Sequence, residues 1–297
     1  MNTHMKRRGF LTRGIGVAAA WALSIKPETL WAVGEVNRVK GSRVKIAVNA
    51  YCFNAALLAG TMTLEDVIDY CVAQNVDGVD LTGYYFHGYP AVPSDDYIFK
   101  LKKKAYLNGV TINCTGVRSD FTLADAAARQ GQIQLVKDWI GVAAKLGANV
   151  VRVFCGPGTP GGPTFDQILE WAVPAYQECA EYGKQHGVIV AVQPHHDLLG
   201  TVQNTLRVVQ AVHSEWFSVL LDVGSLREDD PYLAIEKLLP YTCTWQFKEE
   251  VSVAGKSTPI DLVRVKQIID KVGFRGFLPI EADNPTNFIE KVRKAMS

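Results

Sequence analysis

Four apolar runs, Val188-Ile-Val-Ala-Val192, Ser218-Val-Leu-Leu221, Thr242-Cys-Thr-Trp245 and Gly276-Phe-Leu-Pro-Ile280, each stop on a polar residue, namely Gln193, Asp222, Gln246 and Glu281. A loop and a helix-like segment follow each one. Strands that are apolar on both faces suit a parallel sheet buried between layers, and α/β proteins place their chemistry at the carboxyl ends of such strands. Four oxygen-bearing side chains converging on one mouth suggest a site for a divalent cation.

Working outward from these runs, the same theme recurs from Arg43 onward. Earlier strands are predicted at Val44–Val48, Gly78–Leu81, Val110–Cys114 and Val150–Phe154; the later four cover Val188–Val192, Ser218–Leu221, Thr242–Phe247 and Gly276–Ile280. Helical patterns separate them and carry start signals. Thr63-Leu-Glu-Asp66 and Thr164-Phe-Asp-Gln167 have a capping hydroxyl followed by a side chain that can reach back to the cap, and Gly147 closes a long Ala-rich helix that follows Asp125. Eight β-α units of roughly thirty residues predict a single (β/α)8 TIM barrel over residues 44–297. A doubly wound open sheet is the alternative. It is disfavoured because Asn49-Ala-Tyr-Cys-Phe-Asn54, with no Gly-rich phosphate loop, follows the first strand.

Residues 1–32 read as an address rather than as fold. Arg7-Arg8-Gly9-Phe10-Leu11-Thr12 is a twin-arginine pattern, and the Ala- and Gly-rich stretch from Gly14 to Leu23 is too short to span a bilayer, which needs about 20 residues. Export in the folded state to the periplasm by the twin-arginine machinery is the expectation, with 33–43 as linker. Removing residues 1–32 leaves 26 Lys+Arg against 29 Asp+Glu, a formal charge of −3. Such a surface argues against nucleic acid as partner. The six cysteines show no paired or metal-type spacing, and buried free thiols are expected.

Several motifs together resemble the xylose isomerase-like superfamily of sugar isomerases and epimerases. They are Leu220-Leu-Asp-Val-Gly-Ser225 with Asp230-Pro-Tyr232, Trp245-Gln-Phe-Lys-Glu249, Pro279-Ile-Glu-Ala-Asp283 and Val192-Gln-Pro-His-His-Asp197. The resemblance covers essentially the whole chain after the signal. It implies a divalent metal, manganese first and magnesium as the alternative, held by Gln193, Asp222, Gln246 and Glu281. Two of these depart from the family pattern. Gln246 stands where many relatives have His, and an amide oxygen suits a hard cation. Gln193 stands where the family has a Glu that is often both ligand and base, and an amide takes up no proton at neutral pH. Proton abstraction by a pair of glutamates is therefore disfavoured.

His195 can supply the missing base, since residues i and i+2 of an extended segment face the same way and an imidazole titrates near neutrality. A structural histidine is the bland alternative there. Glu281 competes for the role of base. Lys248 matches a common family lysine and could stabilise an enolate, or else pair with Glu250 or another carboxylate near the rim. Arg152 sits within an apolar strand run, where a carboxylate partner is favoured over a substrate contact. His196, Tyr84, Tyr85 and Arg227 complete the candidate substrate contacts.

The expected reaction is α-proton abstraction next to a carbonyl on a sugar or keto-sugar, giving isomerisation, epimerisation or β-elimination of a 3-keto-glycoside. A non-catalytic periplasmic sugar-binding barrel is the alternative. The zinc endonucleases of DNA repair that share this fold are set aside, because their site needs several His ligands and only His87, His186, His195, His196 and His213 remain after the signal. A homodimer is compatible with all of these readings.

Overall fold

The computed structural model describes residues 35–297 apart from Asn37, Lys40, Thr159 and Pro160. The twin-arginine segment lies outside the described residues. Eight parallel strands close into a barrel: β1 (Arg43–Asn49), β2 (Gly78–Asp80), β3 (Thr111–Gly116), β4 (Val150–Phe154), β5 (Ile189–Gln193), β6 (Phe217–Asp222), β7 (Thr242–Lys248) and β10 (Arg275–Glu281). Their order around the barrel is β1-β10-β7-β6-β5-β4-β3-β2, so β10 closes onto β1 through a register running from Arg43↔Arg275 to Val48↔Ile280. The single (β/α)8 TIM barrel expected from the sequence is what forms.

Local sequence explains the helices between the strands. Thr63 and Thr164 each form a full capping box, with Asp66 and Gln167 returning the bond to the cap's own N–H. Asp125 caps the helix Ala126–Leu146, which Gly147 ends at φ 77°, a left-handed conformation open to glycine. Residues on the outer faces of the strands, such as Val151, Val190, Val219 and Trp245, pack under this helical layer as one continuous core. All six cysteines are free thiols.

One element has no counterpart in the sequence reading. Strands β8 (Glu250–Val253) and β9 (Lys256–Pro259) form an antiparallel hairpin beyond β7. Its two-residue turn, Ala254-Gly255, has φ of 47° and 78°, as the tight turns of hairpins require.

Candidate active site

Pleating aims every second residue of a strand into the barrel. Gln193 ends β5, Asp222 ends β6, Gln246 and Lys248 lie two apart on β7, and Glu281 ends β10. The registers Asp222↔Gln246 and Glu281↔Lys248 set these side chains in two successive tiers around the carboxyl-end mouth. All four residues at which the sequence placed the metal, together with Lys248, are thus brought together.

They form one hydrogen-bonded group. Asp222, fully buried, accepts on Oδ2 from Gln193 Nε2 at 2.8 Å, Ser225 Oγ at 2.7 Å and Lys248 Nζ at 3.1 Å, and on Oδ1 from the Gly224 N–H at 3.1 Å. Lys248 Nζ also lies 3.4 Å from Glu281 Oε1, and the Gln246 amide donates to Glu281 Oε2. Lys248 therefore pairs with Asp222 and Glu281, whereas the sequence reading had named Glu250 among its partners. Burial alone would push its pKa down; the two carboxylates outweigh that and hold it above the ordinary 10.5. Burial and the charge of Asp222 push Glu281 up, against the pull of Lys248. The amide oxygens of both Gln193 and Gln246 are buried without a partner among the described residues.

His195 and His196, both exposed, follow β5 in a loop whose Asp197 and Leu199 are buried, with His196 in the left-handed region at φ 50°. Asp197 fixes that loop, since its Oδ1 accepts from the N–H groups of Leu199 at 2.9 Å and His195 at 3.3 Å. The His195 ring lies 5.0 Å from that of Phe154. Loss of water around the imidazole lowers its pKa from 6.5; Asp222 opposes that, and Lys248 and Arg152 add to it. Arg227 is an exposed residue whose guanidinium donates to the Asp197 carbonyl, tying the loop after β6 to the loop after β5.

Across the barrel, Arg152 projects inward from β4, and Gly116 makes the room: a Cβ there would meet Arg152 Nε at 2.7 Å. Arg152 is 2 % exposed, yet Nε has no acceptor and Nη1 reaches only the Val117 carbonyl at 3.1 Å. The carboxylate partner expected for it is absent among the described residues. Its guanidinium instead lies 4.3 Å from the Phe154 ring centroid and 5.6 Å from that of Tyr84. At the end of β2, Asp80 is bonded to Asn49 at 3.1 Å, and burial pushes its carboxyl up to about 6 against the charge of Arg152. Tyr84 is also flanked by Arg118 at 4.2 Å, while the Tyr85 hydroxyl bonds Asn54 at 2.7 Å.

A cleft of about 1040 Å³ opens over this mouth, lined by Tyr51, Asn54, His196, Lys248 and Glu281 and walled by the β8–β9 hairpin. Sequence reasoning missed Ser225, Asp197, Asp80 and the hairpin wall. Ser225 and Asp197 stood inside quoted motifs, but their roles depend on partners that only folding supplies.

The xylose isomerase-like TIM barrel family matches residues 68–297, and the chain belongs to that family. By sequence, no curated protein matches this chain. Among solved structures, the chain is similar to the probable 3-DHS dehydratase AsbF from Bacillus anthracis, with TM-score 0.66 and 17% identity over 85% of this chain and 98% of that one. It is also similar to D-psicose 3-epimerase with D-tagatose from Clostridium cellulolyticum H10, with TM-score 0.66 and 17% identity over 83% and 89% of the two chains. The IolI protein with a bound zinc atom gives TM-score 0.68 and 15% identity over 84% and 96%. At such identities the likeness shows the fold.

The residues at this chain's mouth do not fit a divalent ion. Asp222 Oδ2 already accepts from three donors and Oδ1 from a fourth, so Oδ2 is saturated. Both glutamines turn their N–H toward the carboxylates. An ion at the roughly 2.0–2.2 Å that Mg²⁺ or Zn²⁺ takes from carboxylate oxygens would stand against the Lys248 ammonium, itself 3.1 Å from Asp222 and 3.4 Å from Glu281. Among the described residues, no group of three or more His, Cys, Asp or Glu is placed to hold a metal.

Proposed function

We propose that this protein is a sugar-modifying enzyme that removes a proton from the carbon next to a carbonyl of a sugar or keto-sugar, leading to isomerisation, epimerisation or β-elimination of a 3-keto-glycoside. The observation that carries this reading is an ammonium braced between two carboxylates, Lys248, at the carboxyl-end mouth, with the His195 imidazole in the loop that follows β5. His195 takes up the proton. Lys248 and Glu281 face the cleft that takes the sugar, and Tyr84, Tyr85 and His196 meet its faces and edges. Neighbours named as a ketose epimerase and a dehydratase support this class of substrate and reaction. Manganese or magnesium dependence enters only as a condition to test, because the two carboxylates that would bind either ion are already paired with Lys248. The Arg7-Arg8 pattern supports export to the periplasm, where glycosides are at hand, and a homodimer remains part of the proposal.

The test is NMR of the purified protein in D₂O with free sugars, 3-keto-glucose and 3-keto-glycosides, with chelator or with added manganese that is stripped before spectra are recorded. Deuterium at the carbon next to the carbonyl supports the reading, and the product separates isomerase, epimerase and lyase. Sugar binding with no exchange in either condition would favour a non-catalytic binding barrel. The replacement of two expected ligands by amides is the observation that keeps this second reading in play.

A further inference from the structure

We propose that the ammonium of Lys248 takes the place of a divalent cation in this chain, and that it, with no metal ion, receives the negative charge formed on the substrate's carbonyl oxygen. The inference rests on the enolate-forming reading above. Its ground is the geometry at the ends of β6, β7 and β10. Lys248 Nζ bridges Asp222 Oδ2 and Glu281 Oε1, as a shared cation would, and the two amides brace the same carboxylates from the sides. An ammonium has three N–H groups. Two are committed to carboxylates, and Lys248 lines the cleft with 21% of its side chain exposed, so the third is available to a ligand there.

The glutamines fit this arrangement better than the residues they stand for. A glutamate in place of Gln193 would put a second carboxylate against Asp222, tolerable only around a higher positive charge than one ammonium supplies. An amide there donates to Asp222 and adds no charge. Arg152, buried and without a carboxylate partner among the described residues, gives the barrel interior a second fixed cation. The two carboxylates of the mouth thus face the one ammonium of Lys248, and Arg152 stands apart from both.

The step balances without a co-reactant. The C–H bond next to the carbonyl breaks and its proton passes to the His195 ring. Its electron pair forms the C=C bond, and the carbonyl π pair moves onto oxygen, where the third N–H of Lys248 meets it. Return of the proton to the carbon it left reverses the flow.

The test begins with a titration that needs no substrate. Chelator-treated wild type and Lys248→Met are titrated with Mn²⁺, and free ion is followed by electron paramagnetic resonance. Wild type should bind no Mn²⁺ tighter than about 1 mM, and Lys248→Met should bind at least ~10²-fold more tightly, because the bridging positive charge is gone. One Mn²⁺ bound by wild type at micromolar concentration would overturn the proposal, as would identical titrations of the two proteins. If Lys248→Met does not fold, the wild-type titration decides alone. With a substrate in hand, wild-type deuterium exchange should be unchanged by chelator and fall ~10²–10³-fold in Lys248→Met. Exchange abolished by chelator and restored by Mn²⁺ would count against it. Failure of every sugar to exchange would remove the enolate-forming reading while leaving the Mn²⁺ titration to decide the cation's place.

Discussion

The barrel interior is built in two ways, and one two-residue step along the strands separates them. Cys114, Val150, Ala191 and Leu220 meet in a buried apolar plug, flanked by Ile189 and Cys243. Two residues further along the same strands stand Gly116, Arg152, Gln193 and Asp222. The plug is filled by shape, although the Thr244 hydroxyl beside Leu220 is also buried without a partner among the described residues. The upper layer needs a partner for each polar atom and leaves several without one: Gln193 Oε1, Gln246 Oε1, Arg152 Nε and Asp80 Oδ1. Unsatisfied buried polar atoms are costly and rare, and they concentrate where a protein trades stability for chemistry. The carboxyl-end layer of this barrel is therefore where function belongs, and the plug beneath it holds the shape.

Substitutions in the two layers should part company. Asp222→Ala is expected to have the largest effect: it strands Lys248, Gln193 and Ser225 together, costing ~3–5 kcal/mol in urea unfolding and all measurable turnover. A variant of wild-type stability would contradict the central place given to this carboxylate. His195→Asn should slow proton exchange ~10²–10⁴-fold while its thermal midpoint stays at the wild-type value. Leu220→Ala, in the plug, should do the reverse, losing ~2–4 kcal/mol of stability with turnover per folded molecule unchanged. Equal losses of activity from these last two would erase the distinction between the layers.

Smaller effects sharpen it. Ser225→Ala removes one of three donors on Asp222 Oδ2 and should cost about 1 kcal/mol in the same urea measurement. Because the His195 pKa is lowered from 6.5, the base is lost only as pH falls through that lowered value. The acid limb of the exchange rate should then have its midpoint below pH 6.5, and His195→Asn should abolish that limb. A midpoint above 6.5 would assign the proton to another group.

The barrel was legible because its strands are buried on both faces, which makes each a short apolar run that stops where the mouth begins. The limits of β4 match the sequence reading at both ends, and β10 extends one residue beyond it at each end. The β8–β9 hairpin escaped notice because it lies outside the barrel, and Lys256-Ser-Thr-Pro259, exposed throughout, carries no apolar alternation. Within the site, positions were legible and pairings were not. The spacing of Gln246 and Lys248 on one strand put both at the mouth. That Lys248 would lie between Asp222 and Glu281 depends on how β6, β7 and β10 align, which no single strand's sequence contains. Arg152 makes the same point. Its burial followed from apolar neighbours, but the carboxylate expected beside it does not reach it, and the Phe154 ring does.

The most direct measurement is the rate at which solvent deuterium enters the carbon next to the carbonyl of a turned-over keto-sugar at pH 7, compared between wild type and His195→Asn. Exchange in wild type that falls at least ~10²-fold in the variant, with the fold intact, is the expected result. Equal exchange in the two proteins would contradict proton transfer through His195 at this mouth.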